Sequence, residues 1–458
     1  MSAAALDLLV ADERKPTEHQ QQALAGLVEW WNLPKGHPDW QHCVLAAPAG
    51  CGKTFLAKYF TSAIKEAHPL FTATTNEAAR QLALAGVSVY GTVHSALGLT
   101  QRKTSEKVVF IQNNIPEEIY EHNLLVVDEA SMAGKADWDK EDAMPLIVDY
   151  ANDLGMRVLW LGDSYQLPPV ESDDAISPIF QQGWKTVTLS EVMRNSGNVL
   201  AYCTKLRDEI DKKSRTFPRA PKCDEIATIS VSTLYRALRG AEMLDDLRKG
   251  DTRILVWRNA NADRLNEFIR IGLHGEEMAK ANSLLPTDQI LFTAPAFGIN
   301  FPEDADNLTG WEMQMKASVN TRAEITSVMR SSLYGLETYK CKFRLEEGGE
   351  IFGHVLTAEG KAKFAKLKTA FTASLEKMSP SKKQASWVWW HTFDSCFVKL
   401  KHSYAITTHR AQGSNIPNVI VDVKDILSAS WNQPLLAYKM VYTACSRTKK
   451  HLTLVKEN

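Results

Sequence analysis

No stretch of some 18 apolar residues occurs in this 458-residue chain, so no membrane span and no membrane partner is expected. The start, Met1-Ser2-Ala3-Ala4-Ala5-Leu6-Asp7, lacks a basic segment and meets Asp12 and Glu13 too soon for a secretory signal. Cysteine is sparse and unpatterned. The seven (43, 51, 203, 223, 341, 396 and 445) are odd in number and never C-x-x-C. That argues against a zinc site and for reduced thiols in a cytoplasm, the host's if the chain is phage-encoded. Neither charge is in excess. With 53 basic against 54 acidic residues, net −1, nucleic-acid binding would need a local stripe rather than a basic whole. Residues 361–401 supply one candidate, nine lysines against Glu376 and Asp394, although charge runs are more often solvated helix faces. No internal repeat or low-complexity tract is evident. The length itself implies two to four domains.

What is present begins at Ala47-Pro48-Ala49-Gly50-Cys51-Gly52-Lys53-Thr54, a phosphate-binding loop complete except for its first glycine. Backbone N–H groups around Gly50, Cys51 and Gly52 would cradle phosphates, Lys53 would neutralise their outer charge, and the Thr54 hydroxyl would hold Mg²⁺. The flanks fit. Cys43–Ala46 is a short apolar run, and Leu56, Tyr59, Phe60, Ala63, Ile64 and Ala67 recur at helical spacing. The loop therefore joins a strand to a helix N-terminus, where an anion is favoured.

Four apolar runs, Val44–Ala47, Leu70–Thr74, Leu124–Val127 and Val158–Leu161, alternate with helical or loop stretches and read as a parallel, doubly wound α/β sheet. A second set (Ile254–Trp257, Tyr404–Thr407, Val419–Asp422, Leu452–Val455) indicates a second α/β domain. Between about 285 and 400 the period changes to two: Met313, Met315, Ala317, Val319, then Tyr339, Cys341, Phe343, Leu345 before Gly348-Gly349. That alternation predicts an antiparallel meander. A lesser insertion spans about 97–121, with a strand at Lys107–Ile111 and a candidate turn at Asn113-Asn114.

The run Leu124–Val127 ends in Asp128-Glu129-Ala130-Ser131. Ligands bind beyond the carboxyl ends of such strands, so Asp128 is placed to reach Mg²⁺ and Glu129 to polarise an attacking water. Gln166, after the next strand, could sense a γ-phosphate; a Pro-rich turn is the plain alternative. Arg194 and Arg447 are candidates to reach a transferring phosphoryl group, and a surface salt bridge is the rival role for either taken singly.

These segments, in this order, resemble the superfamily-one 5′-to-3′ DNA helicases of the RecD/Dda type, with the Dda branch the nearer match, over almost the whole chain. The resemblance implies two RecA-like P-loop NTPase domains, residues 1–195 and residues 196–284 with 402–458. It also implies a strand-separating pin near 97–121 and an SH3-like β insertion at 285–401. It places Gln20, in Thr17-Glu18-His19-Gln20, on the adenine, and Gln412 and Gly413 on the nucleotide. DNA falls to Thr75, Thr92 and His94, to Asn259 in Trp257-Arg258-Asn259, and to Thr407 and His409 in Thr407–Ser414. Departures are Ala47, Arg258, Ala444 and Cys445. The implied cofactors are ATP and Mg²⁺. The implied partners are single-stranded and forked DNA and a single-strand-binding protein or replisome component, with the chain itself a monomer in replication, recombination or repair. A translocase that strips bound proteins without unwinding would share every nucleotide residue. Trp387, Trp389, Trp390 and Phe393 lie in the lysine-rich stretch; packing anchors are the first reading and base-stacking platforms the second.

Overall fold

The computed structural model describes residues 15–103, 108–112, 115–134, 143–169, 175–190, 197–214, 216–300, 312–346, 348–376, 378–429 and 432–457. Their contacts form two units. One holds the chain up to Gln101 with Phe110–Ile229 and Ala411–Glu457; the other holds Arg102–Val109 and Ser230–Arg410.

In the first unit six strands run in the order Val89–Thr92, Pro69–Ala73, Leu124–Asp128, Arg157–Gly162, His42–Ala46, Lys185–Thr188, every neighbour parallel. The four apolar runs read from the sequence are the central members. Alternation along each strand sends side chains to opposite faces. Cys43, Leu45, Phe71, Ala73, Leu124, Val126, Leu159 and Leu161 meet the helices Glu18–Trp31, Lys53–Ala63 and Asn76–Leu84. Val44, Ala46, Leu70, Leu125, Val127, Val158 and Trp160 share the other face with Met144, Ile147 and Tyr150 of the helix Ala143–Leu154. A sheet covered on both faces must be apolar along its whole strands, which is why these strands read as continuous runs. Phe60 and Trp160 are fully buried; truncating either to alanine would cost about 3–5 kcal/mol. The same unit contains a parallel pair, Ile416–Asp422 with Thr448–Lys456. The helix Pro434–Cys445 lies between them in the chain, and its residues from Ala437 onward are all buried.

The second unit has a parallel pair, Thr252–Val256 with Ala405–Thr407. Its main sheet is antiparallel, in the order Glu350–Leu356, Leu336–Leu345, Arg322–Leu333, Gln289–Phe292, Leu400–His402. This is the meander that the period-two pattern predicts, with Tyr339, Cys341 and Phe343 turned inward. Asp288, just before the strand Gln289–Phe292, is fully buried and accepts from Arg270 Nε at 3.2 Å, Tyr404 Oη at 3.2 Å and Leu285 N at 2.9 Å. His274 and His402 flank it at 3.0 and 3.3 Å. Burial opposes its charge, yet the bond from His402 and the charges of His402 and Arg270 prevail and hold its carboxyl below the usual range.

One part of the 285–401 stretch departs from the expected β pattern. Residues Ala358–Leu375 and Pro380–Ser395 are two helices. Alanine, lysine and leucine dominate the first, a composition of strong helix formers. Thr357 caps it by accepting from Gly360 N at 3.0 Å. Any Cβ at Gly360 would collide with the Glu337 carbonyl, so glycine lets this helix approach the sheet. Trp387 and Trp390 are buried between the two helices with Phe364, Phe371, Met378 and Phe393. Phe371 stacks on Trp390 at 4.8 Å and Phe364 on Phe393 at 5.7 Å. Trp389, 38% exposed, stacks on Phe393 at 5.4 Å. The cluster thus anchors the hairpin. In the 97–121 insertion, Leu99–Lys103 and Val108–Gln112 form a two-stranded ribbon. The candidate turn at 113–114 lies outside the described residues. Among those described, no helix is long and apolar enough to cross a membrane.

Candidate nucleotide-binding site

Four parallel strands of the first unit end at one edge of the sheet, and the chemistry-bearing residues lie just beyond those carboxyl ends. His42–Ala46 leads into the phosphate loop, Pro69–Ala73 into Thr74-Thr75, Leu124–Asp128 into Glu129, and Arg157–Gly162 into Asp163. Ala47 N donates to Gly162 O at 2.9 Å, which ties the loop to the neighbouring strand end.

Gly50 and Gly52 have φ of 86° and 83°, a region open to glycine at little cost. A Cβ on Gly52 would also sit 2.8 Å from Gln20 Nε2. The helix Lys53–Ala63 begins there with no side-chain cap, leaving backbone donors for an anion. Lys53 Nζ donates to Ala47 O at 3.0 Å. Gln20 is buried; its Nε2 donates to Cys51 O at 3.4 Å and its Oε1 accepts from Thr17 N at 3.1 Å. It therefore braces the phosphate loop against the helix Glu18–Trp31 through a capping box.

Asp128 closes its strand and accepts from Glu129 N at 2.8 Å through Oδ1. Its carboxyl is pushed up to about 6, first by burial and then by the charge of Glu129, with Lys53 opposing. Glu129 has φ of 49°, left-handed for a residue other than glycine, and its backbone carbonyl accepts from Thr74 Oγ1 at 3.0 Å. Glu129 Oε1 lies 4.0 Å from Arg447 Nη1, while Oε2 is buried without a hydrogen-bond partner. A strained backbone under a carboxylate with one buried, unpartnered oxygen is costly, and such features concentrate where chemistry is done.

Residues absent from the sequence-based set complete the cluster. Asp163 is 1% exposed, and its Oδ2 accepts from Ala49 N at 2.9 Å, Tyr442 Oη at 2.8 Å and Gln166 Nε2 at 3.3 Å. Gln166 Oε1 is buried and unpartnered. Leu167 is gripped from two places: its N donates to Thr443 Oγ1 at 3.2 Å, and its O accepts from Gln412 Nε2 at 3.3 Å. Lys439 Nζ donates to Ser164 O at 2.6 Å, and burial brings its ammonium down to about 8. Lys439, Tyr442, Thr443 and Arg447 are spaced as one face of a helical turn series. That spacing is the available signal, although the apolar residues between them, buried like the rest of the helix, give it no solvent face to contrast with. At Gly413, φ 78°, an added Cβ would lie 3.6 Å from Ala78 N. Arg447 is held by its own neighbours, Thr443 O at 3.3 Å and Ser446 Oγ at 3.1 Å. Lys53, Asp128, Glu129, Gln166, Gln412 and Arg447 thus belong to one unit, whereas Arg194 lies outside the described residues.

These groups fit a nucleoside triphosphate with a divalent cation. Loop amides, an uncapped helix start and one lysine face the carboxylates Asp128 and Glu129. Two buried oxygens, Glu129 Oε2 and Gln166 Oε1, have acceptor capacity unspent. No group of three or more metal-ligating side chains exists among the described residues; a cation here would take one carboxylate, a hydroxyl and ligand oxygens, as Mg²⁺ does.

The residues read as strand contacts occupy helix and strand ends. Thr75 and Thr92 are N-caps, accepting from Ala78 N at 3.1 Å and Ser95 N at 3.3 Å. His94 follows on the short helix Val93–Ala96, its pKa lowered by burial. In the second unit, Thr407 ends the strand Ala405–Thr407 and Asn259 opens the helix Asn259–His274. His409 lies edge-on to Trp257 at 6.4 Å, and burial lowers its pKa to about 4.

Two family models match the chain: an AAA domain over residues 37–217 and a UvrD-like helicase C-terminal domain over residues 402–455. The ATP-dependent DNA helicase dda of Enterobacteria phage T4 is 26% identical over 239 residues, 50% of this chain and 52% of that protein. The ATP-dependent RecD2 DNA helicase of Deinococcus radiodurans is 25% identical over 387 residues, 82% of this chain and 41% of that protein. The chain thus spans about half the length of these two relatives. Among solved structures, the Pif1 helicase from Candida albicans covers 97% of this chain and 95% of its own, with 15% identity and a TM-score of 0.48.

Proposed function

We propose that this chain is an ATP-dependent DNA helicase of the superfamily-one RecD/Dda type, which moves 5′-to-3′ along single-stranded DNA and parts duplex ahead of it. The observation that carries the reading is the convergence of Lys53, Asp128-Glu129, Gln166, Gln412 and Arg447 on one sheet edge. A phosphate-binding loop alone would serve many kinases. Its pairing with a UvrD-like C-terminal segment that reaches Glu129 through Arg447, at 4.0 Å, supports a motor.

When bound, ATP with Mg²⁺ supplies the phosphoanhydride whose hydrolysis drives movement. The loop amides at Gly50–Gly52 and Lys53 hold the phosphates, with Gln20 and Gln412-Gly413 on the nucleotide; Thr54 and Asp128 hold the cation. Glu129 orients water and accepts its proton at the unpartnered Oε2. Arg447, with Arg194, offsets charge that builds on the phosphoryl oxygens. Thr75, Thr92, His94, Asn259, Thr407 and His409 meet the strand through phosphates and base faces, since a moving enzyme cannot depend on sequence. Residues 1–195 form the first motor domain, and 196–284 with 402–458 the second. The 97–121 ribbon serves as the pin and 285–401 as the insertion beside it. Each base-pair step opened costs about 1.4 kcal/mol of stacking.

Strand displacement on duplexes with a 5′ or a 3′ tail, beside removal of a protein block from single-stranded DNA, tests this reading. Unwinding from the 5′ tail alone is expected. Removal of the block without unwinding would instead establish a protein-stripping translocase, and unwinding from the 3′ tail would reverse the direction.

A further inference from the structure

The loop Asp163–Leu167 is held at almost every residue by the C-terminal segment, and one contact reaches past it into the phosphate loop. Tyr442 Oη donates to Asp163 Oδ2 at 2.8 Å and also lies 3.3 Å from Ala49 N. Ala49 N, a backbone donor of the phosphate loop, is 2.9 Å from the same Asp163 oxygen. Gln166 Nε2 is the third donor to that oxygen, at 3.3 Å. A carboxylate oxygen has about two lone-pair directions, so three donors compete for it. The other oxygen is engaged by Tyr165 N at 2.9 Å. Tyr442 and Asp163 are each 1% exposed, so their bond is shielded from bulk solvent.

We infer that the Tyr442 hydroxyl is a positioning group, acting through Asp163 on both Ala49 and Gln166, by which the 411–457 segment reports its position to the phosphate loop. This rests on the helicase reading above. The contact is selective because the hydroxyl sits on the helix face that also carries Lys439, Thr443 and, just past its end, Arg447. A shift of that helix by about an ångström breaks a 2.8 Å bond. Asp163 then turns more fully to Ala49 N or Gln166 Nε2. The phosphate loop and the glutamine are thus rebalanced by a group that touches neither nucleotide nor DNA.

Tyr442→Phe in the full chain tests this, since it removes one oxygen and keeps the ring packed. The measured quantities are the ratio of hydrolysis rates with and without saturating oligothymidylate, the KM for ATP, and the melting temperature. The ratio is expected to fall on the order of ten-fold, the scale of one hydrogen bond to a charged group, with the melting temperature held. Asp163→Asn, which retains an acceptor but not the charge, should reduce the ratio in the same direction. An unchanged ratio in Tyr442→Phe overturns the inference. So does an equal loss of both rates with a lowered melting temperature, which would mark a packing role. If the unsubstituted protein does not respond to oligothymidylate at all, the helicase reading fails first and this inference with it.

Discussion

Replacing Glu129 with glutamine separates two effects that the structure joins in one side chain. Glutamine keeps the length and shape of the side chain but can neither accept a proton nor carry charge. Loss of a positioned general base lowers turnover by about 10²–10⁴-fold, or about 3–5 kcal/mol of barrier. Stability should move the other way. Asp128 is pushed from 3.8 to about 6, which corresponds to about 3 kcal/mol of unfavourable placement, with burial the larger cause and the Glu129 charge the next. Removing that charge relieves the smaller share, on the order of 1 kcal/mol. The partner lost is weak, since Arg447 Nη1 stands 4.0 Å from Glu129 Oε1 and keeps its bonds to Thr443 and Ser446. The left-handed backbone at position 129 is retained by either residue. A melting temperature raised by roughly 2 °C is therefore expected beside near-complete loss of hydrolysis. Phosphate release with single-stranded DNA, binding of a fluorescent ATP analogue and thermal melting supply the three readings. Turnover within ten-fold of the unsubstituted protein would remove Glu129 from the base role. A clear fall in melting temperature would refute the account of a strained, like-charged pair.

Lys53→Ala should abolish single-strand-stimulated hydrolysis and weaken binding of a fluorescent ATP analogue, because Lys53 is the cation that the phosphate loop itself carries, its Nζ 3.0 Å from Ala47 O; normal binding would displace the site. Affinity for single-stranded DNA should fall steeply with salt, log K dropping by about 0.7 per contacted phosphate for each tenfold increase in salt; a flat titration would contradict a backbone-reading channel. Asp288→Asn should destabilise the second unit by about 3–5 kcal/mol, since Arg270 would be left buried without its carboxylate, and proteolysis or hydrogen exchange within residues 230–410 reads that loss. His42 and His409 are each lowered to about 4 by burial. Between about pH 6.5 and 4 the unfolded chain binds the protons that the folded chain refuses, so stability falls as pH drops through that window, by up to about 3 kcal/mol per histidine. His42→Gln should flatten the pH dependence of melting, and an unaltered profile would sink that assignment.

What the sequence made legible, and what it hid, follows from how far apart the interacting groups lie along the chain. The phosphate loop, Asp128-Glu129 and the parallel strands are contiguous, and each is fixed by local rules. A both-faces-buried strand must be apolar throughout, a glycine must stand where φ is positive, and carboxylates that serve a ligand must follow a strand end. The period-two meander was legible for the same reason. The helices at 358–395 were not, since the whole insertion reads as β; its aromatics were legible as packing anchors, and Trp387 and Trp390 do turn into a hairpin core. The threonines at 75 and 92 carry a local signal, a hydroxyl three residues before the amide it caps, that the family resemblance overshadowed. Asp163 left no local trace, and Tyr442 left only its helical spacing with Lys439, Thr443 and Arg447. An aspartate after a strand and a tyrosine in a buried helix are each unremarkable alone. Their bond joins positions 279 residues apart. A carboxylate with no exposed surface must be matched by donors, so the presence of Asp163 at a buried strand end demanded partners that no window of sequence could name. Tyr442, Ala49 and Gln166 supply that demand, which places the least legible contact of the molecule between the phosphate loop and the C-terminal segment that holds Arg447.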